Sequence, residues 1–441
     1  MTETFDWPWV ERQAAKTVAL WNESAFGSAS GGPRYRPHEQ ASRENTYDEA
    51  LEAVEHEARR APLTKAQRLE TRQRIIASFA RFSAAALDLD RHTVELLTND
   101  FLPVGTKLAR WARQFDPSLT MADIIQACRN AWTACGLQPL LGVSVALTPS
   151  ILGYSLLYPY SDNYLDQAGT SAEAKLRFSR RFGSFLQGEE VTPTNSREIA
   201  LKRLIQLIER QYPRAPYPDV FNCLLAIHRA QEESMAQVSG HNHTGDELLC
   251  LSCRKGGTSV LADACLAYGR LTEEESRFAF EWGVLLQLGD DLQDVREDLE
   301  RGSATLFSHA AASGKPLDRL AVQLLSFSEA IGTRMDRLPH GSPQFKELLK
   351  MSWRSLIIRA VADSHEFFSE AFLRQAERCS PFRFPFLRAR QQRLAARQGL
   401  YAMLFDAFLD AQEGEDDHAP LLPVPIEPLN RPLPGRTEVS A

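Results

Sequence analysis

Apolar residues recur along most of this chain at spacings of three and four, the repeat of one helix face, and alternating Val/Ile/Thr runs of the strand type are absent. The pattern predicts helices over 8–25, 43–60, 64–86, 90–114, 119–135 and 138–167. Further helices are expected over 171–187, 195–211, 218–238, 245–269, 272–301, 315–337, 343–377 and 386–411. The stretch 27–40 (GSASGGPRYRPHEQ) has the Gly/Pro/Ser content of a linker. Gly169 closes one predicted helix, and Thr170 with Glu173 has the form of a capping box for the next. The expected fold class is all-α, a large helical bundle.

Composition narrows the class. With 441 residues, 44% of them hydrophobic, the chain can bury a sizeable core, and its net charge of −7 argues against general nucleic-acid binding. Seven cysteines are scattered, and the start MTETFDWPWVERQ lacks a basic region followed by an apolar run. The expectation is a reduced, cytoplasmic protein. Leu137 to Ser161 carries no charge and is long enough to cross a bilayer. It also holds Pro139, Pro149 and Pro159 and ends at an acid, so a helix in a large core is the preferred reading.

Two acidic clusters carry the candidate chemistry. One is Asp162-Asn163-Tyr164-Leu165-Asp166; the other runs from Gly289 through Asp290, Asp291, Asp294 and Asp298. Helical residues four apart share a face, so Asp162 pairs with Asp166, and Asp290, Asp294 and Asp298 form a stripe. Like charges so placed cost a helix about 0.2–0.5 kcal/mol per pair. A divalent cation offsets that cost, and Mg²⁺ typically takes one or two carboxylates and completes its shell with water and phosphate oxygens. The second cluster follows the apolar run Trp282 to Leu288, where a buried helix would emerge into a cavity. Arg254-Lys255-Gly256-Gly257-Thr258-Ser259 sets cations beside glycines and hydroxyls, which suits a phosphate. Arg177, Arg180 and Arg181 follow the first cluster; Arg296 and Arg301 lie in and after the second. His241, His243, Cys250 and Cys253 admit a zinc reading, the weaker one because both cysteines fall on an apolar helix face.

The stretch from Lys255 through Gly289 into Asp290-Asp291-Leu292-Gln293-Asp294 resembles the corresponding region of trans-prenyl diphosphate synthases. Asp294-Val295-Arg296-Glu297-Asp298, continuing to Arg301-Gly302, resembles the second motif of phytoene and squalene synthases. The first cluster is similar to that head-to-head group and to the large bacterial terpene synthases, and it lacks the doubled Asp of chain-elongating enzymes. All belong to the class I isoprenoid synthase superfamily, and the resemblance covers about residues 125–375.

The resemblance implies a bundle around an apolar cavity with a metal site at its mouth. It implies two or three Mg²⁺ ions, with Mn²⁺ as a substitute, held by Asp162, Asp166, Asp290, Asp291, Asp294 and Asp298. Catalysis would rest on Asp162, Asp166, Asp290 and Asp294. Arg254, Lys255, Arg301 and Arg181 would bind the diphosphate of a prenyl substrate. The implied activity is that of a terpene synthase; the alternatives are a prenyltransferase, head-to-head or chain-elongating, and a helical scaffold without catalysis. The domain expectation is an N-terminal helical extension (1–120), a catalytic bundle (121–380), a basic helix (381–411) and a disordered, proline-rich tail (412–441). The basic, aromatic segment Phe382–Phe408 reads first as a closing helix and second as a peripheral membrane contact. A homodimer is the remaining partner expectation.

Overall fold

The structure, a computed structural model, describes residues 5–25, 32–60, 64–165, 169–235, 243–401 and 404–405. Among them there is no strand, and the all-α class holds. The helices are α1 (Trp7–Ser24), α2 (Pro37–Arg59), α3 (Lys65–Leu87), α4 (Arg91–Leu96), α5 (Leu102–Phe115), α6 (Met121–Leu140), α7 (Pro149–Leu165), α8 (Ala172–Gln187) and α9 (Ser196–Gln211). They continue with α10 (Pro218–Met235), α11 (Gly245–Tyr268), α12 (Glu273–Gln293), α13 (Val295–Arg301), α14 (Leu306–Ala312), α15 (Asp318–Arg337), α16 (Pro343–Asp363), α17 (Glu370–Glu377) and α18 (Phe384–Ala396).

The centre of the bundle is the antiparallel pair α11–α12. Every residue from Val260 to Ala267 and from Phe278 to Leu285 is buried. Helices with no solvent face belong inside a core, and α11 is surrounded by α12, α10, α6, α1, α7 and α14. The pair approaches unusually closely because glycines meet at the crossing. A Cβ on Gly256 would lie 2.5 Å from the carbonyl oxygen of Gly283, and one on Gly283 would press on that of Gly256. Beside them the Phe280 ring lies flat against Gly257.

The first helix is part of this core. Trp9, Val10, Ala14 and Trp21 are buried, and α1 packs on α11, α12 and α15. Gln13 reaches Glu281 at 3.5 Å, and the fully buried Glu281 is neutralised by Arg334 of α15. At the periphery, α2, α3 and α18 interlock. Arg383 pairs with Glu44, Arg390 with Asp48, and Arg393 and Arg397 both with Glu55. Tyr401 donates to Glu55 as well, at 3.0 Å. These donors hold the Glu55 carboxyl down at about 2. Phe382 and Phe386 pack edge-on against Tyr47. Arg383, Arg390, Arg393, Arg397, Phe382 and Phe386 of the segment considered for a membrane contact thus face α2, whereas Arg388 donates to Ala362 C=O of α16 at 3.2 Å. No helix among the described residues is long and apolar enough to cross a membrane.

Several predicted elements differ from those observed. Helix α2 already begins at Pro37, inside the stretch expected as a linker, and a π-helical stretch, Leu97–Phe101, separates α4 from α5 within the expected 90–114 helix. The 138–167 helix is two pieces: α6 ends at Leu140, Gly142 turns the chain at φ +80°, and α7 restarts at Pro149. The buried Gln138 side chain bonds both the N–H and the C=O of Ala146 at 2.8 and 3.0 Å and so holds the connection against α6. The cap of α8 is Ser171, not Thr170; its hydroxyl accepts from the Ala174 N–H at 3.3 Å. The 343–377 helix breaks after Asp363, and Ser369 caps α17. The 272–301 helix breaks at Asp294, with α14 an additional short element after it. The tail from Gln412 on lies outside the described residues.

The glycine crossing generates a stability prediction. Gly256→Ala places a methyl against rigid backbone, and overpacking of this kind costs about 1–3 kcal/mol. Urea unfolding of the variant is expected to show that loss; an unchanged midpoint would mean the helices separate freely.

Candidate metal and diphosphate site

The second acidic cluster closes over one polar cavity of about 120 Å³. Its walls are Leu251, Ser252 and Lys255 of α11, Gln287, Asp290 and Asp291 of α12, then Asp294, Asp298, Ser303 and Thr305. The helix break at Asp294 (φ −95°, ψ 11°) does not scatter the acids. The Asp294 N–H still bonds the Asp290 C=O at 2.9 Å, and the Asp298 N–H bonds the Asp294 C=O at 2.8 Å. Helical spacing therefore carries across the junction, and all three carboxylates remain on the cavity. Ser364 steadies the break from α16, donating at 3.2 Å to the carbonyls of Leu292 and Gln293.

Asp291 has a different environment from its neighbours. It is buried, and it accepts from Ser252 at 2.8 Å and Gln287 at 2.7 Å. It locks α11 to α12 at the cavity floor. Asp298 accepts from Thr305 at 3.2 Å, which ties α13 to the cap of α14.

Electrostatics mark the site. Desolvation among the crowded walls raises all four carboxyls: Asp290, exposed at the rim, upward, the buried Asp291 and half-buried Asp294 to about 6, and the half-buried Asp298 to about 7. Mutual repulsion adds to burial, with Asp290 acting on Asp291 and Asp294, and Asp291 on Asp298. The opposing charges are Lys255, felt by Asp290, Asp291 and Asp298, Arg301 of α13, felt by Asp294, and Arg129 of α6, felt by Asp290 and Asp294.

The sequence-derived candidates divide. Asp290, Asp291, Asp294, Asp298 and Lys255 share the cavity. Arg254 turns away, pairing with Glu233 at 2.9 Å and lining a separate hollow with His243 and Cys250. Arg181 is bound through two nitrogens to the buried Glu198, each at 2.7 Å, and also donates to Thr192 C=O. Those bonds tie α8 to the start of α9. Arg301 pairs with Glu297 of the same helix while its charge still reaches Asp294, and Arg296 pairs with Glu366. Cys253 is buried in the core, and His241 lies outside the described residues.

The side chain of Asp162 and all of Asp166 also lie outside the described residues. The helix that leads to them begins beside the centre of the bundle, where Ser150 of α7 donates to Leu266 C=O of α11 at 2.8 Å. It is described to Leu165. There Asn163 donates to Asp123 of α6 at 2.7 Å, Arg197 stacks on Tyr164 at 3.9 Å, and Tyr164 meets Phe178 edge-on.

Sequence reasoning missed Arg129, Ser252, Gln287, Ser303 and Thr305. Ser252 and Gln287 carried a signal, one turn before Lys255 and Asp291 respectively. Arg129 carried none, since only the packing of α6 brings it to α12.

The donor set suits a hard cation. Four carboxylates and four hydroxyl or amide side chains line one small cavity with a single lysine. Among the described residues no three His, Cys, Asp or Glu side chains are already gathered into a cage. Mg²⁺ commonly binds without such a cage, through one or two carboxylates plus water and phosphate. No known family model, curated protein or solved structure matches this chain.

The raised carboxyls set a pH dependence. Asp298 titrates near 7 in the folded state against 3.8 ordinarily. Between those values the folded chain holds a proton that the unfolded chain has released, so its stability contribution falls as pH rises. Asp298→Asn removes that loss. By thermal melting without divalent ions, the variant is expected to gain on wild type between pH 4.5 and pH 7.5. Millimolar Mg²⁺ should raise the wild-type midpoint more than the variant's. An equal difference at both pH values would contradict the assignment.

Proposed function

We propose that this chain is a Mg²⁺-dependent class I isoprenoid synthase of the terpene synthase kind. It would ionise an allylic prenyl diphosphate to a hydrocarbon or alcohol and release diphosphate. The observation that carries this reading is the gathering of four aspartates and Lys255 on one polar cavity at the end of a buried helix pair. The order of the motifs along the chain supports it.

In this reading Asp290, Asp294 and Asp298 hold metal from one side, and Asp162 and Asp166 from α7. The bound ions supply Lewis acidity and neutralise the leaving diphosphate. The chain's own cations do the rest. Lys255 donates to a diphosphate oxygen from the cavity floor, and Arg129 adds positive charge from α6. Asp291, tied to Ser252 and Gln287, acts as a positioning residue that keeps Lys255 opposite Asp290. The prenyl tail would require an apolar space opening from this mouth into the bundle, with water excluded while the cation reacts. A second prenyl chain entering that space would give coupling, the prenyltransferase alternative.

Incubating the full chain with allylic diphosphates of ten to twenty-five carbons, with and without isopentenyl diphosphate, tests the reading. Mg²⁺-dependent release of diphosphate with a hydrocarbon or alcohol product from one allylic substrate is expected. A strict need for isopentenyl diphosphate would indicate the elongating alternative. Asp290→Asn and Asp294→Asn are each expected to lower turnover roughly 100-fold or more with unchanged circular dichroism. Near-wild-type release by either variant would remove the metal assignment.

A further inference from the structure

All seven cysteines are free thiols, and one pair stands apart. Cys223 of α10 and Cys265 of α11 are both fully buried, and their sulfur atoms lie 3.2 Å apart. The two helices pack side by side. A disulfide needs about 2.05 Å between sulfurs. Small side-chain rotations on two helices already in contact can supply the remaining distance. Other buried thiols face backbone instead: Cys128 reaches Gly105 C=O at 3.7 Å and Cys135 reaches Ala146 C=O at 3.6 Å.

We propose that Cys223 and Cys265 are a covalent modification site, oxidised by a hydroperoxide to a disulfide that staples α10 to α11. One thiol, as its thiolate, attacks a peroxide oxygen. The O–O bond breaks, water leaves in the case of hydrogen peroxide, and a sulfenic acid remains. The second sulfur then attacks the first, forming the S–S bond and expelling the hydroxyl, which departs with the second thiol's proton as another water. Two thiols lose two electrons and two protons, and one peroxide becomes two waters.

Burial sets the rate and the persistence. The Cys223 thiol is held well above its ordinary range by burial and by Cys265, so little thiolate is present. Oxidation proceeds through local opening of the helices and is slow. The same burial shields the finished disulfide from reducing thiols. The bond joins positions 42 residues apart, and the closed ring contains Ser252 and Lys255, the α11 wall of the acidic cavity. Oxidation therefore fixes the helix on which that cavity is built.

The test is peptide mapping of the full chain after prolonged exposure to millimolar hydrogen peroxide, with alkylation under denaturing, non-reducing conditions. The expected result is a Cys223–Cys265 cross-linked peptide released by dithiothreitol, with two of the seven cysteines protected from alkylation. The melting midpoint should rise by roughly 3 °C, and Cys223→Ser should abolish both effects. The proposal is overturned if both cysteines remain alkylatable, if they stop at sulfinic acid, or if peroxide joins either to another cysteine. The wild-type map decides this by itself, whether or not the variant folds.

Discussion

The contact between Gly256 and Gly283 sets the geometry of everything around it. Two helices can press backbone to backbone only where neither carries a side chain. That approach brings Ser252 within hydrogen-bond reach of Asp291 and places Lys255 on the same cavity as Asp290. A wider crossing would cost the buried Asp291 its bond from Ser252, about 1–3 kcal/mol, and leave it only Gln287 of its own helix. The acidic cavity is thus a consequence of how tightly the centre of the bundle is packed.

Around that pair, polar groups are handled in two ways. Structural acids are matched to arginines: Glu55 with Arg393 and Arg397, Glu198 with Arg181, Glu281 with Arg334. Their charge is consumed within the fold. The aspartates of α12 and α13 are left with too little positive charge, and burial pushes their carboxyls upward. Single unbalanced acids occur elsewhere, as at Asp263 of α11, whose carboxyl burial pushes well up, but this cluster gathers four on one cavity, which suits cations. That gathering favours a binding site over a solvated helix face.

Much of this was legible in the sequence. The apolar run before Asp290 marked α12 as a buried helix emerging at a cavity, and Lys255 was recognised from its glycine and hydroxyl neighbours. The roles of the arginines were not legible, because a basic residue does not reveal a distant acidic partner. Arg254 and Arg181 looked available for phosphate until Glu233 and Glu198 were found against them. Helix continuity was overestimated where local hydrogen bonding overrides periodicity, as at Gln138 and Asp294. The place of α1 in the core depends on contacts such as Gln13 with Glu281, which no local pattern encodes.

The central claim is that the aspartates of α12 and α13 bind a diphosphate through divalent cations, with Lys255 as a direct donor. Calorimetric titration of inorganic diphosphate into the full chain tests it without any assumption about substrate. Binding is expected only when Mg²⁺ is present, with more than one Mg²⁺ taken up per diphosphate. Asp294→Asn should abolish it, and Lys255→Ala should weaken it. Diphosphate binding that is indifferent to Mg²⁺, or that survives unchanged in Asp294→Asn, would contradict the account.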